Sequence, residues 1–248
     1  MTAQGELIRE DGERIAYVRH AGAAPGIVWL GGFKSDMTGT KALALDIWAQ
    51  AEAHAFLRFD YFGHGASSGH FREGTVSRWR DDALAMLDRL TGGPQILVGS
   101  SMGAWLALLA ALARPDRVMG LLLIAPAVDF TEALLWNSFG ESVQRQIWEQ
   151  GEWLRPSLYG PDPYPITRRL IEDGRMHLLL GKPIPLACPV RIVQGMADAD
   201  VPWQHAMKLL DVVGPDVEMT LVKTGDHRLS KPHEIELILR TLAAMIAP

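Results

Sequence analysis

The sequence predicts an α/β fold: a mostly parallel central sheet of about eight strands, flanked by helices, with a helical lid inserted over one sheet edge. Three observations predict it. Short apolar runs alternate with longer amphipathic stretches along most of the chain, the pattern of repeated strand–helix–strand units. One run, Leu121-Leu122-Leu123-Ile124, is apolar at every position, as a strand covered on both faces by helices must be. The rhythm then breaks between Ala127 and Ala187. No strand is predicted there, prolines punctuate helical spacing, and Trp136, Trp148, Trp153, Tyr159 and Tyr164 concentrate. The core is therefore assigned to residues 1–126 and 188–248, and the lid to 127–187.

In chain order, strands are predicted over Arg14–His20, Gly26–Leu30, Ala55–Asp60, Gln95–Val98, Val118–Ala125, Val190–Gln194 and Val217–Val222. Helices are predicted over Thr40–Ala53, Ser77–Leu90, Ser101–Arg114, His205–Val213 and Pro232–Ile246. Thr91-Gly92-Gly93-Pro94 stops the second helix and Pro115 ends the third, since glycine and proline terminate helices.

The chain has 248 residues, 48% apolar and 21% charged, enough to bury a core without covalent staples. The single cysteine, Cys188, excludes an internal disulfide and a multi-cysteine metal site. It precedes Pro189 at the start of a strand and reads as a small buried residue. A net charge of −5 speaks against a nucleic-acid partner. The N-terminal stretch Met1–Asp11 carries acids and no hydrophobic run, unlike a signal or transit peptide. The most apolar helix, Met102–Ala113, is too short to cross a bilayer. A cytoplasmic protein without stable membrane insertion is the expectation.

The chemistry is announced by Gly99-Ser100-Ser101-Met102-Gly103. This G-x-S-x-G run follows a buried strand and opens a helix, where a tight turn lifts a serine hydroxyl clear of the sheet. Ser101 is the predicted nucleophile. The bland alternative makes it a helix N-cap. Ser100, one residue earlier, is assigned a structural role. A serine needs a base, and on such a scaffold the order is serine, acid, histidine. Of eight histidines, His177, His205, His227 and His233 follow Ser101. His227, in the loop after the last predicted strand, is the predicted base. His205 and His233 sit in helices, and His177 sits in the lid, within possible reach of substrate. The acid that orients the imidazole is assigned to Asp198, after the strand Val190–Gln194, with Asp200 as the competitor. Asp226 adjoins the base and is poorly placed to reach it.

A tetrahedral oxyanion needs N–H donors. The backbone amides of Met102 and of Phe33, in Gly31-Gly32-Phe33-Lys34, are assigned to it. Asp60-Tyr61-Phe62-Gly63-His64-Gly65 reads as a loop supporting the site from below. Substrate contacts are assigned to Trp105, Trp136 and Trp203. No G-x-x-x-x-G-K-[ST], G-x-G-x-x-G or H-E-x-x-H run is present, so neither a cofactor nor a metal is expected.

Gly39-Thr40-Lys41-Ala42-Leu43-Ala44, Arg58-Phe59-Asp60-Tyr61, the run Gln95–Trp105, Cys188-Pro189-Val190-Arg191, Val201-Pro202-Trp203 and Asp226-His227-Arg228 together carry a resemblance. From about Arg14 onward, the chain resembles the α/β-hydrolase family of the mitochondrial acyl-protein (palmitoyl-protein) thioesterase of animals, which also cleaves mycophenolic acid acyl-glucuronide, and its bacterial relatives. That family uses a Ser-Asp-His triad, which by motif falls on Ser101, Asp198 and His227. Two departures stand out. Ala104 replaces a second glycine, and the missing transit peptide leaves the mitochondrial address behind. The resemblance implies hydrolysis of acyl thioesters or activated carboxylic esters, with an S-acylated protein among the candidate substrates. A carbon–carbon bond or lactone hydrolase of the same fold, and a binding protein without chemistry, are the competing readings.

Overall fold

The computed structural model describes residues 2–156 and 163–247. Strands β1 (Thr2–Ile8), β2 (Arg14–His20) and β3 (Ala23–Leu30) precede helix α1 (Thr40–Ala51). Then come β4 (His54–Phe59), α2 (Val76–Leu90), β5 (Gln95–Ser100), α3 (Met102–Ala113) and β6 (Val118–Ile124). The insertion holds α4 (Glu141–Gln150), β7 (Glu152–Arg155), β8 (Tyr164–Thr167) and α5 (Arg168–Gly174). The chain closes with β9 (Val190–Gly195), α6 (Trp203–Val212), β10 (Val217–Val222) and α7 (Pro232–Ile246).

Eight strands form one sheet in the order β1-β2-β4-β3-β5-β6-β9-β10. From β4 to β10 every pairing is parallel, while β2 runs antiparallel to both its neighbours. Alternate strand residues serve two cores, as the period of two requires. Val28, Leu30, Leu97, Leu121 and Leu123 pack under α2, α3 and the insertion. Ile27, Trp29, Ile96, Val98, Leu122 and Ile124 pack against α1 and α7. This two-sided burial is what the all-apolar run in β6 foretold.

Helix ends follow local chemistry. The Thr75 hydroxyl accepts from the Arg78 amide at 3.1 Å and caps α2. Pro232 occupies the first turn of α7, and the Glu234 carboxylate accepts the Lys231 amide at 2.8 Å, a capping box. No helix among the described residues is long and apolar enough to cross a membrane.

Two features depart from the sequence expectation. β1 adds an outer strand whose side chains are mostly exposed, with Leu7 buried; without an apolar alternation it left no strand signal. The insertion is not wholly helical: β7 and β8 form an antiparallel hairpin pairing Trp153 with Ile166 and Leu154 with Pro165. Four-residue strands are at the lower limit at which periodicity is readable, and Pro165 masks the second. Tyr159 lies outside the described residues.

Candidate active site

The parallel strands all end on one edge of the sheet, and their loops converge there. The turn after β3, the sharp bend after β5, and the loops after β9 and β10 bring four distant stretches together.

Ser101 sits between β5 and α3 with φ 56° and ψ −118°. That conformation is costly for a residue with a side chain, on the order of 1–3 kcal/mol, and needs surroundings that enforce it. They do: the Ser101 amide donates to the Ile124 carbonyl at 2.9 Å, and its carbonyl accepts from Ala104 and Ala127 at 3.0 and 3.2 Å. The glycines of the pentapeptide are explained by contact. A Cβ on Gly99 would overlap the Gly103 carbonyl, and one on Gly103 would overlap the Leu30 carbonyl oxygen. Gly103→Ala is therefore expected to destabilise the fold by about 3 kcal/mol, an overpacking cost, read as a lowered urea midpoint. An unchanged midpoint would show that the bend tolerates a wider separation from β3.

Imidazole and carboxylate meet the hydroxyl in a chain. His227 Nε2 lies 3.1 Å from Ser101 Oγ, and His227 Nδ1 lies 2.8 Å from Asp198 Oδ2. The Asp198 side chain is fully buried. Its Oδ1 accepts the amides of Asp200 and Val201 at 2.9 and 2.8 Å, and its Oδ2 also accepts from Gln194 Nε2 at 3.2 Å. These bonds hold Oδ2 toward the imidazole, so His227 Nδ1 donates and Nε2 faces the serine as an acceptor. Asp198, Asp200 and His227 bring one ligand-type atom each within 4.8 Å of the others, but the bonds in place commit Asp198 and His227 to each other. The other downstream histidines are engaged elsewhere. His205 Nε2 lies 2.8 Å from the Val128 carbonyl, His177 Nε2 lies 2.6 Å from Ser77 Oγ, and His233 is exposed.

The turn after β3 lies against this bend. A Cβ built on Gly32 would stand 3.3 Å from Ser101 Cβ. Its carbonyl accepts the Ser35 amide at 3.2 Å, with Lys34 at φ 55° inside the turn. Four rings pack against Phe33: Phe71, Trp79, Phe130 and Tyr164 lie 4.8–5.7 Å away between centroids. Met102 opens α3, where the first-turn amides have no intrahelical acceptor. Both amides assigned from sequence therefore belong to segments touching Ser101.

A cleft of about 380 Å³ opens beside Ser101 and His227, lined also by Trp29, Phe33, Lys34, Asp36, Lys41 and Arg228. Sequence reasoning missed its cationic wall. The Lys41 ammonium donates to the Arg228 carbonyl, and burial pushes its pKa down to about 8. Its only signal was its place in the run Gly39–Ala44. The three tryptophans assigned to substrate do not line this cleft. Trp105 is wholly buried beneath the insertion, with its indole N–H donating to the His177 carbonyl at 3.1 Å. Trp136 packs on Trp148 at 5.9 Å and under the Arg175 guanidinium on the insertion's outer face. Trp203 is half-buried at the start of α6.

Residues 27–168 match the family described as serine aminopeptidase, S33. The chain belongs to that α/β-hydrolase family. Membership makes it a hydrolase. Among its relatives, the mouse mitochondrial palmitoyl-protein thioesterase ABHD10 is 43% identical over 242 residues, 97% of this chain and 81% of that protein. Two solved structures superpose closely. A hydrolase from Agrobacterium vitis S4 is 44% identical with a TM-score of 0.94, covering 100% of this chain and 99% of that one. The mouse alpha/beta hydrolase domain-containing protein 10 is 40% identical with a TM-score of 0.91, covering 98% of each chain.

Proposed function

We propose that the protein is a serine hydrolase that cleaves acyl thioesters and activated carboxylic esters through an acyl-serine intermediate. The observation that carries this reading is the unbroken chain from Ser101 Oγ through the His227 ring to the buried Asp198 carboxylate, at 3.1 and 2.8 Å. Ser101 Oγ attacks the acyl carbon while its proton passes to His227 Nε2. The carbonyl oxygen becomes an oxyanion, which the amides of Phe33 and Met102 stabilise. Asp198 stabilises the imidazolium, which then protonates the departing thiolate or alkoxide. Water enters, gives its proton to His227 and attacks the acyl-serine. The carboxylic acid leaves and Ser101 regains its proton. No cofactor enters these steps.

Similarity to palmitoyl-protein thioesterases over 97% of the chain supports an apolar acyl group and an S-acylated protein as one source of it. The cleft with Lys34, Lys41 and Arg228 at its wall suits a leaving group bearing a carboxylate, as an acyl-glucuronide does. The insertion, which reaches the site through Tyr164 against Phe33, serves as a lid over the acyl chain.

An acyl-thioester series from acetyl to palmitoyl tests the reading. Each methylene buried in the site is expected to raise kcat/KM about fourfold, the equivalent of about 0.8 kcal/mol, until the pocket is filled. Turnover of p-nitrophenyl acetate with no turnover of any thioester would remove the thioesterase assignment and leave a plain esterase.

A further inference from the structure

Two side chains of the loop between β4 and α2 reach under the β3–α1 connection and accept backbone amides from it. Asp60 Oδ1 accepts the Met37 amide at 2.6 Å, and His64 Nε2 accepts the Lys34 amide at 3.1 Å. The second bond fixes a tautomer. His64 Nδ1 lies 3.1 Å from the Phe62 carbonyl, so it carries the hydrogen and leaves Nε2 as a bare acceptor. The ring is 4% exposed and stands edge-on to Tyr61, Phe71 and Trp79, with centroids 5.1–5.7 Å apart. It does not line the cleft at Ser101. A buried histidine with one nitrogen satisfied by its own loop and the other spent on a single amide has a narrow task. That amide belongs to Lys34, whose φ of 55° makes it the strained position of the turn, next to Phe33.

We infer that His64 is the positioning residue of the oxyanion turn: by accepting the Lys34 N–H it holds the left-handed conformation in which the neighbouring Phe33 N–H meets the reacting oxygen. The inference rests on the serine mechanism proposed above. Burial also pushes the His64 pKa down to about 4, so the acceptor lone pair persists through the neutral range. Asp60 supplies the companion bond, but to Met37, beyond the turn.

The side-chain acceptor can be moved without emptying the site. In His64→Gln the amide oxygen reaches about as far as Nε2. In His64→Asn it ends at the position of Nδ1, short of Lys34. The glutamine variant is expected to keep kcat within about threefold of wild type. The asparagine variant is expected to lose about 100-fold in kcat with KM within about twofold, approaching the loss of one oxyanion donor. Affinity for a trifluoromethyl ketone thioether, which becomes a charged hemiketal on Ser101, is expected to fall by the same factor in the asparagine variant alone. If that variant does not fold, His64→Phe keeps a ring, drops the acceptor and takes its place with the same expectations. Glutamine and asparagine variants of equal activity, high or low, overturn the inference, as does a folded acceptor-free variant with wild-type ketone affinity. Ser101→Ala, run alongside, separates the two ideas: full turnover without the hydroxyl would sink the serine mechanism, whereas a dead Ser101→Ala with an indifferent His64 sinks the positioning role alone.

Discussion

Ser101→Ala is expected to lower kcat by roughly 10⁶ while leaving the fold intact, as removal of a triad nucleophile does. The fold survives because the bend is enforced by backbone bonds from Ile124, Ala104 and Ala127 to residue 101 and by the Gly99–Gly103 contact. None of these involves the hydroxyl. Alanine has to adopt the same positive φ as serine, so the strain is unchanged. What disappears is the one oxygen that faces His227 Nε2 at 3.1 Å. Residual turnover would come from water attacking under the same amides. Fluorophosphonate labelling, which needs the hydroxyl itself, is expected to vanish outright. Labelling equal to wild type would move the nucleophile elsewhere. Ser100 is a poor substitute, because it is 6% exposed and is the last residue of β5, paired with Ile124 of β6.

The parts of this site that could be read from sequence are those whose chemistry is local. A serine between a buried strand and a helix has few conformations, and the flanking glycines mark the backbone approach to Leu30 that the bend demands. Val217–Val222 and Pro232–Ile246 could be read to the residue, because the first alternates apolar with polar residues between turn signals and the second carries proline in its first turn. Its place just after a strand favours Asp198 over Asp200. The structure places the 2.8 Å bond to the imidazole on Asp198 and uses the Asp200 amide to orient that carboxylate. What escaped are features that exist only once distant segments meet. Trp105 reads as an aromatic next to a nucleophile, yet α3 is packed all round by the sheet, α2 and the insertion, and the ring goes into the core. Lys41 carries no motif of its own, and its ammonium meets the Arg228 carbonyl only because the fold brings together residues 187 positions apart. The histidine of Gly63-His64-Gly65 suggested support from below, but only coordinates identify the amide it holds.

Asp198→Asn is expected to cost about 10⁴ in kcat, the loss seen when a triad imidazole is held in the wrong tautomer, and the structure says why the amide cannot escape that outcome. Oδ1 of Asp198 accepts two backbone amides, from Asp200 and Val201. An asparagine must put its carbonyl oxygen there, since turning its NH₂ group toward two N–H donors would leave buried donors unpaired, at about 1–3 kcal/mol each. The NH₂ group is thereby forced into the Oδ2 position, facing His227 Nδ1. A donor at that point requires Nδ1 to accept, which moves the ring hydrogen to Nε2. The nitrogen opposite Ser101 Oγ then donates and cannot take the serine's proton. The same NH₂ group also faces Gln194 Nε2, another donor, 3.2 Å away, so a modest loss of stability accompanies the loss of rate. Asp200→Asn keeps the backbone amide that orients Asp198 and is expected to hold kcat within about tenfold. Steady-state kinetics on both variants with one thioester decides between them. If Asp200→Asn were the dead enzyme and Asp198→Asn the active one, the assignment of the orienting acid would be reversed.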